Sequence, residues 1–282
     1  MPHPHDAVVP LPHGLPASML PLQCLSLRRA SVRRSAMSAE FNRLGLPFAF
    51  VDAVEPDFSE GFPESYDRDR RLALFGYDMR PGEAGCYLSH RGIWQDFLAS
   101  TREYCCVLED DVALDDRLPQ VLASLLAQSQ DWDLVRLYGV FERRSLRHLP
   151  LREQRWLVEY LDQPRGTQGY VLTRHAARRL LETTQQMYCA IDDAIDMEWV
   201  HGLRMFGVEP HVIRELPCTS TIGNRKRPRQ SIATMLAREV RRWPQDMRRL
   251  QWMGRRMLRW TFMALRRGSP GAVSLATGKE AS

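Results

Sequence analysis

Apolar residues along this chain fall into two rhythms. Short runs such as Leu22–Leu27, Pro47–Val51 and Tyr104–Leu108 are almost continuously apolar and bounded by polar clusters, which predicts buried strands. Longer segments repeat apolar residues every three or four positions. In Gly82–Ala99 these are Ala84, Cys86, Tyr87, Leu88, Ile93, Trp94, Phe97 and Leu98, behind a Pro81 placed where helices begin. The same rhythms predict helices over Ala30–Arg43, Arg68–Phe75, Leu118–Ala127, Arg174–Thr183 and Ala190–Phe206. They predict strands over Leu134–Tyr138, Trp156–Tyr160, Gly169–Leu172 and Val208–Ile213. Strands alternating with helices give an expected α/β fold, a mainly parallel sheet flanked by helices on both faces.

The rhythm changes near residue 225. From Trp243 the apolar residues Met247, Leu250, Met253, Met257, Trp260 and Ala264 follow at helical spacing, while Arg241-Arg242, Arg248-Arg249 and Arg255-Arg256 recur every seven residues on another face. Residues 225–267 hold 14 Lys or Arg against two acids, a balance of 14 − 2 = +12 within a whole-chain charge of +5. With Lys279 cancelling Glu280, residues 1–224 carry 5 − 12 = −7. An Arg-rich helix with Trp and Met opposite has the composition of an interfacial helix, so an anionic membrane surface is the expected partner of 225–267. Docking on the acidic body is the alternative. Nucleic acid is not expected, because no base-stacking platform or recognised nucleic-acid fold accompanies the charge.

Four regions result: a Pro- and His-rich, disordered leader over 1–18, with Met19 as an alternative start, a domain over 19–224, the basic amphipathic helical extension over 225–267, and a disordered tail over 268–282. The six cysteines show no zinc-type spacing and no disulfide framework, which favours a reducing cytoplasm. The first residues show no basic region leading into an apolar stretch, and no uncharged run suffices to cross a bilayer. A peripheral position on the inner face of the cytoplasmic membrane is expected.

Chemistry concentrates at Glu109-Asp110-Asp111, three acids that end an apolar strand abruptly. In open α/β sheets ligands collect beyond the carboxyl ends of strands. Adjacent carboxylates repel unless a cation neutralises them, and their oxygens suit Mn²⁺ or Mg²⁺. A solvated acidic turn is the plain alternative.

Leu25-Ser26-Leu27-Arg28-Arg29, Leu44-Gly45-Leu46 with Asp52-Ala53-Val54, Pro81 to His90, Val107 to Val112, Trp132 to Leu137 and Gly169 to Thr173 occur in an order that resembles glycosyltransferase family 25. The resemblance runs from about residue 21 to 223 and says nothing about the basic extension. It implies a glycosyltransferase-A-type fold, in which a Rossmann-like nucleotide-binding half merges with an acceptor half. It further implies a UDP-sugar donor carrying a hexose, galactose or glucose, a divalent metal, an inverting reaction, and a lipopolysaccharide or lipooligosaccharide core acceptor, a lipid-linked oligosaccharide.

Within that frame Glu109 and Asp111 are the expected metal ligands, with His211 as a late third, and Asp110 falls to the donor. Ser26, Arg28 and Arg29 leave the first strand where a nucleotide would lie, and guanidinium forks suit phosphate. Asp52 ends the second strand, placed for ribose or base. Glu83 and His90 lie seven residues apart on one helix face, and Ser89 adjoins them. Gly169 opens a strand where substrate could approach the backbone. Each of these has an ordinary reading as a cap, a core histidine or a bend. The general base is sought among Asp192, Asp193 and Asp196, although acids in a first turn also simply answer the helix dipole. Two other functions stay open: metal-assisted phosphoester hydrolysis, and a catalytically inactive, transferase-like, membrane-attached binding protein.

Overall fold

The computed structural model describes residues 20, 22–59, 61–216 and 232–267, with side chains omitted for 232–237 and 264–267. The leader 1–18, the tail 268–282 and positions 225–231 of the extension lie outside the described residues. Among the described residues ten strands and eight helices follow one another: β1 (Leu22–Ser26), α1 (Ser31–Arg43), β2 (Phe48–Asp52), α2 (Arg68–Phe75), α3 (Pro81–Ala99), β3 (Tyr104–Glu109), β4 (Val112–Leu114), α4 (Leu118–Ala127), β5 (Leu134–Arg136), β6 (Ser145–Pro150), β7 (Trp156–Tyr160), β8 (Gly169–Thr173), α5 (Arg174–Thr183), α6 (Ile191–Ile195), α7 (Glu198–His201), β9 (Met205–Glu209), β10 (Ile213–Glu215) and α8 (Ile232–Arg267).

Eight strands form one sheet in the order β2-β1-β3-β8-β5-β9-β7-β6. β1, β2 and β3 run parallel, β8 opposes both β3 and β5, β9 runs with β5, and β7 opposes both β9 and β6. Only β8 and β7 are therefore reversed, and the sheet is mostly parallel as the alternation predicts. Its central strands are apolar throughout because both faces are covered. Cys106, Leu108, Val135 and Val171 pack with Met37 and Phe41 of α1 and with α4. The alternate residues Cys105, Val107, Leu134, Tyr170 and Leu172 pack with α3, α5 and α6.

The predicted helix Ala190–Phe206 is not one helix. Asp196 caps α6, Gly202 ends α7 in the left-handed region at φ 72°, and Met205–Glu209 joins the sheet beside β5. Periodicity could not separate these short apolar pieces. The predicted strand Val208–Ile213 likewise divides between β9 and β10 around Pro210, which has no N–H to give a ladder. The short β4 and the edge strand β6 have no sequence signal. β6 mixes Arg147, His148 and Pro150 with apolar residues and shifts register between Arg147 and Leu149.

The basic extension is a helix, α8, 36 residues long with Pro244 inside it. It lies on the body through its polar side. Arg256 is buried against Glu198 and Glu159 and donates to the Tyr160 carbonyl, Trp260 Nε1 donates to Glu159 at 2.7 Å, and Arg249 meets Asp162 at 2.5 Å. This corrects the predicted apolar stripe. Trp260 is only 8% exposed, and Met253 is half-buried, whereas Trp243 (65%), Leu250 and Met257 face outward. The stripe that remains outside runs Val240, Trp243, Met247, Leu250, Met257, with Leu258 and Phe262 beside it. The second arginine of each pair faces the body, and Arg241, Arg248 and Arg255 stay exposed.

Candidate active site

The three acids at the end of β3 go three ways. Glu109 turns back under α3. Its Oε1 accepts from the Thr167 hydroxyl and lies 3.6 Å from Nε2 of the fully buried His90. His90 Nδ1 is 2.8 Å from the Tyr170 hydroxyl, which accepts from Trp94 Nε1 at 3.0 Å. Burial works to raise the Glu109 carboxyl, but His90, Thr167 and Arg33 outweigh it and hold it below the usual range. Cys86, His90 and Glu109 place one ligand atom each within 4.8 Å of one another. His90 thus sits behind the acid cluster, beside Glu109, where it can order that carboxylate.

Asp110 is buried and crosses to β1. It accepts from Ser26 Oγ at 2.5 Å and meets Arg33 at 3.1 Å. Asp111 differs from both. Its Oδ1 is buried without a partner, and burial, then Glu109, Asp110 and Glu215, push its carboxyl up to about 7. Glu215 arrives on β10, which pairs with β4 and bonds back through Leu216 N to the Asp111 carbonyl at 2.8 Å. Tyr138 hydrogen-bonds Glu215 and stacks edge-on against His211, at 5.3 Å between ring centroids. Burial lowers the pKa of His211 and so favours the neutral imidazole, the form that ligates metals. Acids and histidine thus gather at one edge of the sheet.

The other donor residues divide. Asp52 takes Arg34 directly and Arg28 at 3.7 Å, with Arg28 almost fully exposed, and Arg29 pairs with Glu55. Arg34 also donates to the Ser26 carbonyl at 2.9 Å, tying the ends of β1 and β2 together. Three expected donor contacts are spent on structure instead. Ser89 Oγ accepts from Val54 N at 2.8 Å and donates to the Gly85 carbonyl at 2.6 Å, fastening the loop after β2 onto α3. Glu83 closes a capping box on Arg80 N at 3.0 Å and meets Arg71 at 3.6 Å. Gly169 makes room for packing, since a Cβ there would stand 2.3 Å from Ile213 Cδ1 and 2.9 Å from Leu108 Cδ2.

Asp192, Asp193 and Asp196 all line a cavity of about 690 Å³ between α6, the start of α3, the 141–143 and 162–165 loops, and α8. Asp196 is held by Arg136, a buried strand residue that also donates to the Gly166 carbonyl. Even so, burial carries the Asp196 carboxyl up to about 7 against the pull of Arg136. Arg136 thus fixes the position of Asp196 at the cavity wall. Burial and then Asp192 raise Asp193, while Arg165 at 3.2 Å, Arg71 and Arg242 draw it back. Cys86 joins the two regions, since its thiol is perturbed by Glu109 and by Asp192 and bonds Thr167. Tyr138, Thr167 and Glu215 were not singled out from sequence, although Tyr138 closes the predicted strand Leu134–Tyr138 and Thr167 stands two residues before Gly169.

A sheet that is mostly parallel, with acids at a strand end and a polar cavity beside them, defines an α/β protein built to hold a charged ligand at its carboxyl edge. A family model described as glycosyltransferase family 25 (LPS biosynthesis protein) matches residues 19–195, well over half the chain. The chain belongs to glycosyltransferase family 25. It is 31% identical over 176 residues to a glycosyltransferase 25 family member of Aedes aegypti, covering 56% of this chain and 27% of the insect protein. It is 30% identical over 216 residues to the lacto-N-neotetraose biosynthesis glycosyltransferase LgtE of Neisseria meningitidis serogroup B, covering 70% and 73%. A solved glycosyltransferase involved in glycosylation of the major capsid of PBCV-1 aligns with TM-score 0.39 and 8% identity, over 71% of this chain and 94% of that one. The chain thus spans about a quarter of the length of the insect relative. α8 lies beyond the matched family region.

Proposed function

We infer that this chain transfers a hexose, galactose or glucose, from a UDP-sugar to a lipopolysaccharide or lipooligosaccharide core acceptor with inversion. Asp111 carries this reading. A buried carboxylate oxygen without a partner, surrounded by Glu109, Asp110 and Glu215, fits a divalent cation, Mn²⁺ or Mg²⁺. Asp111 would hold it, and Glu109 and His211 would join as further ligands on turning from Thr167 and Tyr138 toward it. The ion, when bound, offsets the charge that builds on the departing nucleoside diphosphate. Arg28 and Arg29 suit its phosphates, and Asp52 suits its ribose or base. Asp110, clamped by Ser26 and Arg33, shapes the crevice floor. Across Cys86, Asp192 or Asp193 removes the proton of the acceptor hydroxyl, with Asp193 favoured because burial raises its proton affinity. The acceptor oxygen bonds to the anomeric carbon as the bond to UDP breaks, and UDP leaves with the electron pair.

The acceptor is lipid-linked, and α8 suits that setting. No helix among the described residues is long and apolar enough to cross a membrane. The outward stripe of α8, flanked by exposed arginines, suits an anionic surface such as the inner face of the cytoplasmic membrane. The transferase reading is tested by UDP-galactose and UDP-glucose turnover with Mn²⁺ and purified lipooligosaccharide. Asp111→Ala should lower turnover about a thousandfold or more, in line with losing a main electrostatic contribution. Equal turnover in both proteins would remove Asp111 from the reaction.

A further inference from the structure

The cavity under α8 is not lined evenly. On its α6 side stand Asp192 and Asp193. On its α8 side stand Arg242, Asp246 and Arg249, joined by Arg143 and Arg165 from the loops, the last paired with Asp193 at 3.2 Å. Arg249 at 2.5 Å and Arg143 at 3.9 Å share one carboxylate, Asp162, so that trio keeps a surplus positive charge. Among the described residues Arg242 makes no ion pair. Its guanidinium lies over the ring of Phe75, 5.2 Å from the centroid, and its charge reaches Asp193 across the cavity. Arg165 is presented by a turn in the left-handed region, φ 60°, followed by Gly166 at φ 95°. Holding a bulky residue there costs energy that the surrounding structure must supply. α8 itself is pinned by the buried Arg256 and Trp260, so this arginine wall stands on a fixed support.

We propose that this wall recognises an anionic group, phosphate or carboxylate, carried by the acceptor saccharide, and so orients the acceptor hydroxyl toward α6. Guanidinium forks bind both groups bidentately, and a half-enclosed setting strengthens such charge-assisted bonds. A cavity of about 690 Å³ has room for a short saccharide. The inference rests on the transferase reading for the word acceptor, but the site itself is separable from the donor crevice. Two of these arginines, Arg242 and Arg249, stand on α8, outside the matched family region.

The experiment uses the full chain and calorimetric titration with glucose, glucose 6-phosphate, glucuronate and inorganic phosphate, each with and without UDP. Glucose 6-phosphate or glucuronate should bind at least about tenfold more tightly than glucose, and UDP should not displace either. Arg242→Ala and Arg249→Ala should each weaken that binding about tenfold, and Arg242→Lys, which keeps charge without the fork, should recover part of it. Gln251→Ala, exposed elsewhere on α8, serves as the control. Equal affinity for glucose and its phosphate, displacement by UDP, inorganic phosphate binding as well as the sugar phosphate, or wild-type affinity in Arg242→Ala would each overturn the proposal. UDP-galactose affinity is measured in parallel. Its absence from the wild-type chain would sink the transferase reading while leaving the anion site standing.

Discussion

At the end of β3, two of three acids are matched by neighbours drawn from adjoining strands and helices: Ser26 and Arg33 hold Asp110, and Thr167 and His90 hold Glu109. Across the cavity the acids of α6 find their counter-charges on a strand, a loop and the extension, at Arg136, Arg165 and Arg242. The first region is a strand-end motif set in a rigid sheet. The second is an assembly of short segments, whose geometry depends on α6 and α7 keeping their places beneath α8. Under the proposed transfer, donor chemistry is anchored to the sheet, while the acceptor side rests on the least regular part of the fold.

Acid should expose that difference first. His201 ends α7 with Nε2 donating to the Ile195 carbonyl at 2.8 Å and Nδ1 accepting from Leu203 N at 3.1 Å. The second bond needs the neutral ring, since a protonated Nδ1 cannot accept, and burial lowers its pKa from 6.5 to about 4. The folded state binds the proton less readily than the unfolded chain, so this stabilisation is full above about pH 6.5. It fades as pH falls toward 4, by at most about 3 kcal/mol. Urea unfolding at pH 7.5 and pH 5 should show the loss in wild type and a flatter profile in His201→Asn. Amide exchange at pH 5 should rise in α6 before it rises in β1 and β3. Identical pH profiles for the two proteins would take His201 out of the account.

The outward face of α8 sharpens the contrast from the other side. Replacing Trp243 and Leu250 by Ser removes two exposed apolar side chains and touches no ion pair that holds α8 to the body. Partial burial of both in a lipid interface is worth about 2 kcal/mol, roughly thirtyfold in partition. Sedimentation with vesicles containing phosphatidylglycerol should show that loss, with neutral phosphatidylcholine vesicles binding weakly throughout. Unchanged binding in the double variant would refute the attachment. A second copy of the chain is a poorer occupant of this stripe, because Arg241, Arg248 and Arg255 would face their own like charges across the contact.

How far the sequence reaches follows the same division. The strand Trp156–Tyr160 and the helices Arg68–Phe75, Leu118–Ala127 and Arg174–Thr183 have the bounds their periodicity predicts, because in each a run of one period ends at a polar or glycine break. The acid cluster was legible as three carboxylates closing an apolar strand. Their separate fates were not, since Thr167, Tyr170 and Glu215 reach them through pairings of β8 and β10 that no local pattern announces. Ser89, Glu83 and Gly169 look like ligand contacts in sequence and act as fasteners in the fold. Their functional appearance came from standing in motifs, and a motif records what a fold needs as readily as what a substrate needs. For α8, the period was right, and most of the stripe faces outward while Trp260 and Met253 turn toward the body. Spacing identifies an apolar stripe, but buried partners such as Glu159 and Glu198 determined which side turned inward.

Within the acid cluster itself, neighbouring carboxyls should respond in opposite senses to the same substitution. Asp110→Asn gives up the charge that Arg33 and Ser26 complement, so it should destabilise the fold. Asp111→Asn removes a carboxyl that burial and three nearby acids push up to about 7. A raised carboxyl costs the folded state nothing below its unfolded value near 4 and its full penalty above 7. The metal-free Asn variant should therefore be more stable than wild type at pH 8, by about 1 kcal/mol once screening from the open side is allowed for, and no more stable at pH 4. Added Mn²⁺ should stabilise wild type at pH 8 and leave the variant unmoved, since binding to the folded state alone raises stability. Thermal melts at the two pH values, with and without Mn²⁺, read all of this together. A variant gaining stability while losing sugar transfer marks Asp111 as a position where the fold tolerates repulsion for the sake of a cation. Equal melting of Asp110→Asn and Asp111→Asn would mean that the cluster is only a solvated acidic turn.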